Sequence, residues 1–411
     1  MLKIRCITTI IISVIILLFT LTTPSMSQGR VEAVNINQQD ATGQEVIQQE
    51  DVILQQLDNL NLRDLQKEIN RINDRVDTYL PEINLQDILI GFIRGELEVS
   101  WSNIVKTILK YLGKEVTANF NLLGQIIILS VISAVLSIFH QSFSSKTISN
   151  TANVIIFLII SVLILQAFNL AIQIGIETIN TMVSFIQALL PILLSLLVSM
   201  GALTSAAIFH PLTLMIITVL STSVKYIIFP MIFLSVVLNI VTRINLDFSL
   251  SRLAGLFKEI SMGMLGLMFM LFIGGLLLQG GAAAITDSLS LRTAKYLTGT
   301  FVPVIGKIFS DAVDLIVGCS LIIKNGLNLF GMVVIIIIIA YPIVKIIALI
   351  FIYKLASAIV QPVADGRLVN ILNDTGNSLI MVFVVVSAVS VMFFVVLTII
   401  VGTANLTVMM R

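Results

Sequence analysis

The sequence predicts an all-α polytopic membrane protein with about eight transmembrane helices, preceded by a small helical region outside the cytoplasm. Hydrophobic residues make up 57% of the 411 residues and charged residues only 11%, whereas a soluble domain is about one-quarter charged. The charged residues are concentrated near the N-terminus, and long apolar runs recur along the rest of the chain. A net charge of +1 gives no field for binding nucleic acid, so no such partner is expected.

Residues 1–27 have the pattern of a secretory signal peptide. A positive start at Lys3 and Arg5 precedes an apolar run, and Ser25-Met26-Ser27 fits a cleavage site before Gln28. The alternative is an uncleaved first membrane helix. In either case, the following hundred residues are expected outside the cytoplasm.

Charge divides the mature chain into two regions. Residues 28–121 hold nine Lys/Arg and fifteen Asp/Glu, a net charge of −6, whereas residues 122–411 hold thirteen and eight, a net charge of +5. The first region has the charge density of a soluble segment and the second has that of a chain in lipid. We therefore expect an extracytoplasmic helical region with a flexible start, followed by a multi-pass membrane domain.

Two amphipathic helices are predicted in the first region. Five apolar residues at 3-4-3-4 spacing form one stripe, which either packs on its own domain or binds a partner. They are Leu62, Leu65, Ile69, Ile72 and Val76. Further along, Trp101 and a polar side with Lys106, Lys110 and Lys114 predict a helix lying at the membrane surface before the first span.

Eight apolar segments are candidate spans in the second region. They lie at about 122–139, 152–176, 182–203, 206–241, 260–280, 302–323, 327–353 and 379–401. The 206–241 segment holds Pro211, Lys225 and Pro230, so it is one broken helix or two short ones. Lys146 favours a cytoplasmic loop at 140–151, and the loop at Glu177, which lacks Lys and Arg, is expected outside.

An internal duplication is also predicted, with units at about 182–290 and 294–401. Pro230 follows Pro191 by 39 residues, and Pro342 follows Pro303 by the same interval. The dipeptides Arg252-Leu253 and Arg367-Leu368 each precede a long apolar run. Broken helices in inverted repeats are a feature of transporters. The alternative is that apolar sequences align easily with one another.

Ionisable residues at membrane depth are the candidate functional residues, because they are costly in lipid. Lys307, Asp311 and Asp314 are spaced four and three apart, so they share one helix face. They form either a polar seam that lines a conduit or subunit contact, or the polar face of a helix at the interface. Candidate partners for Asp314 are Lys324, Lys345 and Lys225.

Other chemical sites are not predicted. His210 stands before Pro211, where a histidine is more often a helix-start or packing residue than a proton relay. Cys319 is alone in an apolar stretch, where a thiol behaves as a small apolar side chain. No metal-binding or hydrolase motif is present, so we expect no enzyme, metal site or cofactor.

Several strings in the second region resemble the stage III sporulation protein AE family over roughly residues 85–400. They are Ala206-Ala207-Ile208-Phe209-His210-Pro211, Ser251-Arg252-Leu253-Ala254, Phe301-Val302-Pro303-Val304 with Gly306, Ser310-Asp311-Ala312 with Asp314 and Gly318, Leu321 with Lys324-Asn325, Tyr353-Lys354-Leu355-Ala356, and Gln361-Pro362 with Asp365 and Arg367. The strings occur in order along the chain, and their polar residues make the match more specific than hydropathy alone.

The resemblance implies a multi-pass subunit of a channel-like, secretion-like complex between mother cell and forespore, needed for forespore development after engulfment. It implies the outer forespore membrane as location, with the N-terminal region in the intermembrane space. It further implies a cytoplasmic ATPase and ring-forming membrane proteins as partners. The resemblance carries over no catalytic residue, and it marks His210, Arg252, Asp365 and Arg367 as conduit or assembly positions. The alternatives are a self-sufficient transporter of small solutes and a non-conducting membrane scaffold.

Overall fold

A computed structural model describes residues 62–75, 101–142, 146–244, 250–301 and 303–409, together with Leu85 and Gly91. Side chains are described over most of these ranges, chiefly 106–135, 154–243, 250–283 and 316–400. The predicted signal peptide and the start of the extracytoplasmic region lie outside the described residues. In the described ranges the chain forms α-helices joined by short connections.

The two predicted amphipathic helices are confirmed. Helix α1 is Arg63–Arg75, and the stripe residues Leu65, Ile69 and Ile72 are buried against the long helix α4, Lys146–Ser199. Helix α1 therefore packs within the chain, but on a helix of the predicted membrane domain and not on its own extracytoplasmic region, and binding to a partner stays a prediction. Helix α2 is Trp101–Ala118, with all three predicted lysines exposed. A bend of 42° then leads into helix α3, Phe120–Ser142, the first predicted span.

The spans predicted at 152–176 and 182–203 are one unbroken helix, α4. Glu177 separates them in the sequence, but one charged residue on an exposed helix face removes no backbone hydrogen bond. The next segment is the single broken helix that the sequence allows: α5 (Leu203–Ser223), a π-helical turn (Val224–Ile228) and α6 (Phe229–Ile244). The turn precedes Pro230, whose missing N–H disturbs the helical ladder.

The remaining chain forms helices α7 (Ser251–Phe301), α8 (Pro303–Val360) and α9 (Gly366–Met409). The predicted spans 302–323 and 327–353 are thus one helix, since Lys324-Asn325 does not interrupt α8. Eight spans is therefore the wrong count. Within the described residues, five segments are long and apolar enough to cross a bilayer, or six if the bent pair α2–α3 counts as one span.

The predicted duplication gains no support from this layout. A unit beginning near residue 182 would start in the middle of α4, and the break between α5 and α6 would lie in its first half. The corresponding part of the other unit is the unbroken α8, which passes through Pro342. Arg252 and Arg367 do each stand second in a helix. Since polar residues commonly follow turns, that likeness alone does not establish a repeat.

Helix α9 forms the centre of the bundle. In its most apolar 18-residue stretch 83% of the residues are buried, and the helix contacts α4, α7 and α8. Two glycines permit close packing: a Cβ on Gly175 would lie 2.8 Å from the Phe229 ring, and one on Gly331 would lie 2.8 Å from Leu189. Helices α4 and α8 run antiparallel, because the Phe185 ring packs against Phe330 while the Tyr353 hydroxyl donates to the Leu163 carbonyl at 3.3 Å.

The bundle is longer than a bilayer is thick. The five apolar segments have 46, 41, 40, 45 and 35 residues. At about 1.5 Å per residue they extend about 50–70 Å, against a hydrocarbon core of about 30 Å. Charged residues occur part-way along several of these helices, and they define the candidate site.

Candidate functional site

A polar cavity of about 530 Å³ lies half-way along the bundle, among α1, α2, α4 and α8. Its polar lining comes from α2, the bend after α2, α4 and α8, and its apolar lining includes Ile72 of α1. The polar residues are Glu115, Asn119, Glu177, Thr178, Thr181, Tyr341 and Lys345. A mixed lining of this kind, at a junction between helices, is typical of a binding site or of a section of a path.

An aromatic and charged cluster forms one wall of the cavity. The rings of Tyr111 and Tyr341 stack at 5.7 Å, and the Tyr111 hydroxyl donates to Glu115 Oε1 at 2.8 Å. Lys345 Nζ lies 3.9 Å from the same oxygen and 4.3 Å from the Tyr341 ring centroid. The ring face and the carboxylate both favour the ammonium group, so they hold α8 against α2.

The opposite wall is formed by α4, where Glu177 carries an exposed carboxylate. Among the described residues, no ion pair or side-chain hydrogen bond engages this carboxylate. One turn away, Asn180 Oδ1 accepts a hydrogen bond from Lys225 Nζ at 2.5 Å, which joins α4 to the π-helical turn. We call Glu115, Glu177, Lys225 and Lys345 the polar belt. Glu177, Lys225 and Lys345 each place a charge part-way along an apolar helix, and Glu115 of α2 pairs with Lys345.

Pro342 adds a backbone acceptor to the cavity. Proline has no N–H, so the carbonyl of Ile338, one turn earlier, loses its helical donor. Both residues line the cavity. The lining holds two carboxylates, Glu115 and Glu177, against the single ammonium of Lys345, so the cavity suits a cationic or hydrogen-bond-donating group.

A second polar group lies where the turns α6–α7 and α8–α9 approach each other. Arg243 Nη2 lies 3.1 Å from Asp374 Oδ2, and Lys354 Nζ donates to the amide oxygens of Asn373 and Asn377, both at 2.6 Å. Asp374 also attracts Lys258 and Lys354 electrostatically. We call these six residues the hairpin-tip network. It joins α6, α7, α8 and α9.

The described candidate residues from the sequence lie apart from the cavity. Lys324 is 1% exposed within α8, and His210 is exposed on α5. Arg252 is exposed in the first turn of α7, and Asp365 pairs at the surface with Arg367 at 3.9 Å. Cys319 is buried and unpaired, in accord with its predicted role as a small apolar side chain.

The predicted seam of Lys307, Asp311 and Asp314 stands in the first turns of α8. The helix continues through all three positions, but their side chains lie outside the described residues, so the seam stays a prediction. Two of the partners considered for Asp314 are engaged elsewhere. Lys345 pairs with Glu115, and Lys225 donates to Asn180.

Sequence reasoning missed the cavity and the carboxylate of Asp287. That carboxylate is 1% exposed and accepts hydrogen bonds from the backbone N–H groups of Thr204 and Ser205, both at 2.8 Å. It thereby caps the N-terminus of α5. Glu177 and Asp287 are both charged residues within long apolar runs, and that pattern is the sequence signal that could have identified them. In the part of the chain that the structure describes, no cluster of His, Cys, Asp and Glu could hold a metal ion.

These features define a multi-pass α-helical membrane protein with a polar cavity between its helices. The chain belongs to the stage III sporulation protein AE family, whose model matches residues 83–404. The stage III sporulation protein AE of Bacillus subtilis (strain 168) is 39% identical over 342 residues, which are 82% of this chain and 86% of that protein. No solved structure matches the chain. It is thus a sporulation membrane protein, as the resemblance in the sequence implied.

Proposed function

We propose that the chain is a non-enzymatic subunit of a channel-like, secretion-like complex between mother cell and forespore, required for forespore development after engulfment. Its place is the outer forespore membrane, with the N-terminal region in the intermembrane space. Its partners are a cytoplasmic ATPase and ring-forming membrane proteins of the same complex. Family membership and the multi-pass body support this proposal, and the polar cavity is the observation that carries it.

The cavity supplies a polar section part-way along the apolar helices α4 and α8. Glu177 and the Ile338 carbonyl offer acceptors to a passing or docking group, while Lys345 is held aside by Glu115 and Tyr341. A group that crosses the bundle at this height would exchange water for these acceptors and so avoid the cost of bare hydrocarbon. In this proposal the cavity forms part of a conduit or of its gate.

The test is Glu177→Gln, which keeps the shape of the side chain and removes its charge. We expect spore formation to fall sharply while the amount of protein in the membrane stays at the wild-type level, since the carboxylate has no structural partner among the described residues. The matched control is Glu259→Gln on α7, another exposed carboxylate that does not line the cavity. Spore counts and immunoblots of membrane fractions measure both effects.

Normal spore formation in Glu177→Gln would contradict a role for the cavity. For the predicted seam the corresponding test is the double substitution of Asp311 and Asp314 by Asn. If neither variant impairs sporulation while deletion of α1 does, the non-conducting scaffold is the better description.

A self-sufficient transporter is the second candidate, favoured by the position of Pro342 beside the cavity. A mild-detergent pull-down from sporulating cells separates the two. Recovery of other sporulation membrane proteins and an ATPase supports the subunit. Recovery of this chain alone, followed by solute flux in proteoliposomes, supports the transporter.

A further inference from the structure

The polar cavity carries one negative charge that its own lining does not balance. Two carboxylates and one ammonium line it, which gives a net charge of −1. Glu115 is engaged twice, because Lys345 Nζ lies 3.9 Å from its Oε1 and the Tyr111 hydroxyl donates to the same oxygen at 2.8 Å. The unbalanced charge is therefore that of Glu177, whose carboxylate has no ion pair with any described residue. A negative charge in this position attracts a cation into the cavity.

The two lysines of the polar belt are held by other groups. Lys345 Nζ lies between the Glu115 carboxylate and the face of the Tyr341 ring, 4.3 Å from the ring centroid. Lys225 Nζ donates at 2.5 Å to the amide oxygen of Asn180. Asn180 follows Glu177 by three positions on α4, so the two side chains are neighbours on the helix surface. Lys225 nevertheless binds the neutral amide, which leaves the carboxylate available to a cation from outside the protein.

The cavity also has an aliphatic wall and the size of a small-molecule site. Its volume is about 530 Å³, within the range of roughly 300–1,000 Å³ for such sites. A bare metal ion would leave most of this space empty, and within the ranges whose side chains are described no group of His, Cys, Asp and Glu could hold one. The aliphatic side chains belong to α1, α4 and α8, and they are Ile72, Leu170, Ile174, Ile338 and Leu349.

We propose that the cavity binds a small organic cation of the alkylammonium class from solution. Its charged nitrogen lies beside Glu177, and its apolar body lies against the aliphatic wall. An organic anion is disfavoured, because the one ammonium of the lining is already held by Glu115 and Tyr341. The proposal rests on the proposed role of the cavity in a conduit or gate, and it names the chemical class that enters there.

The experiment measures how fast a cysteine in the cavity reacts with charged thiol reagents. Thr181→Cys places a thiol in the lining, one helical turn beyond Glu177. The wild-type chain gives the background rate, since Cys319 is buried. The purified full chain in mild detergent is treated with two methanethiosulfonates, one carrying a trimethylammonium group and the other a sulfonate. We expect the ratio of the cationic to the anionic rate to exceed that of 2-mercaptoethanol by roughly tenfold, the effect of one nearby negative charge.

The controls change the charge of one carboxylate at a time in the Thr181→Cys chain. Glu177→Gln should lower the rate ratio to that of 2-mercaptoethanol. Glu177→Asp keeps the charge and should keep the ratio high, as should Glu259→Gln, because Glu259 is exposed on α7 and does not line the cavity. n-Butylammonium chloride should slow the modification of Thr181→Cys, whereas sodium butyrate at the same ionic strength should not.

A rate ratio equal to that of 2-mercaptoethanol, or one that Glu177→Gln does not change, would overturn the proposal. A cysteine that neither reagent modifies would also overturn it, because the cavity would then be closed to solutes of this size. The result is separate from that of the sporulation test. Normal spore formation in Glu177→Gln with the cation preference intact would keep the site and remove its role in sporulation, whereas impaired sporulation without a cation preference would keep the role and remove the ligand.

Discussion

The polar cavity and the hairpin-tip network use similar side chains, and they differ in how completely those side chains are paired. In the network, Asp374 faces three cations, and the ammonium of Lys354 also holds two amide oxygens. In the cavity, Lys345 is paired with Glu115, whereas Glu177 faces open space. Charged side chains that hold helices together have partners within hydrogen-bond or ion-pair distance, whereas a charged side chain that is available to a ligand has no such partner in the protein.

The largest effect on stability is expected at the centre of the network. Asp374→Asn leaves three cations without their carboxylate, and an uncompensated half-buried charge of this kind costs about 2–4 kcal/mol. Thermal unfolding in mild detergent should show a markedly lower midpoint. Asp365→Asn is the control, because that exposed carboxylate pairs loosely with Arg367 and its loss should cost about 0–1 kcal/mol. Equal effects of the two substitutions would mean that the network is not structural.

A smaller effect is expected at the paired wall of the cavity. Glu115→Gln keeps an acceptor for the Tyr111 hydroxyl but removes the charge opposite Lys345, so we expect a loss of about 1 kcal/mol. The same detergent unfolding assay measures it. Glu177→Gln should leave the midpoint unchanged there. If Glu177→Gln lowers the unfolding midpoint as much as Glu115→Gln does, the carboxylate of Glu177 is also structural and the two walls of the cavity do not differ in this respect.

Features that depend on neighbouring residues could be predicted from the sequence, whereas contacts between distant residues could not. The spacing of Leu65, Ile69 and Ile72 identifies α1 and its buried face, because helical periodicity is a property of neighbouring residues. The end of a helix is harder to predict, because neither a glycine nor a single charge need end one, and α4 continues through Gly175 and Glu177. The pairing of Lys345 with Glu115 could not be predicted, since it depends on how α8 packs against α2.

A substitution at Gly376 tests whether the hairpin-tip network depends on the conformation of the Lys354 side chain. A Cβ at this position would lie 3.0–3.2 Å from the aliphatic carbons of Lys354, so Gly376→Ala should push the ammonium away from its two amide partners. We expect a net loss of about 1 kcal/mol, since overpacking and weakened hydrogen bonds outweigh the gain in helix propensity. Gly113→Ala is the control, because a Cβ there meets nothing within 4 Å and should stabilise α2 by about 0.5–1 kcal/mol. Opposite signs for the two substitutions in the same unfolding assay would place the strain at Lys354, whereas a gain in both would show that Lys354 moves aside at no cost.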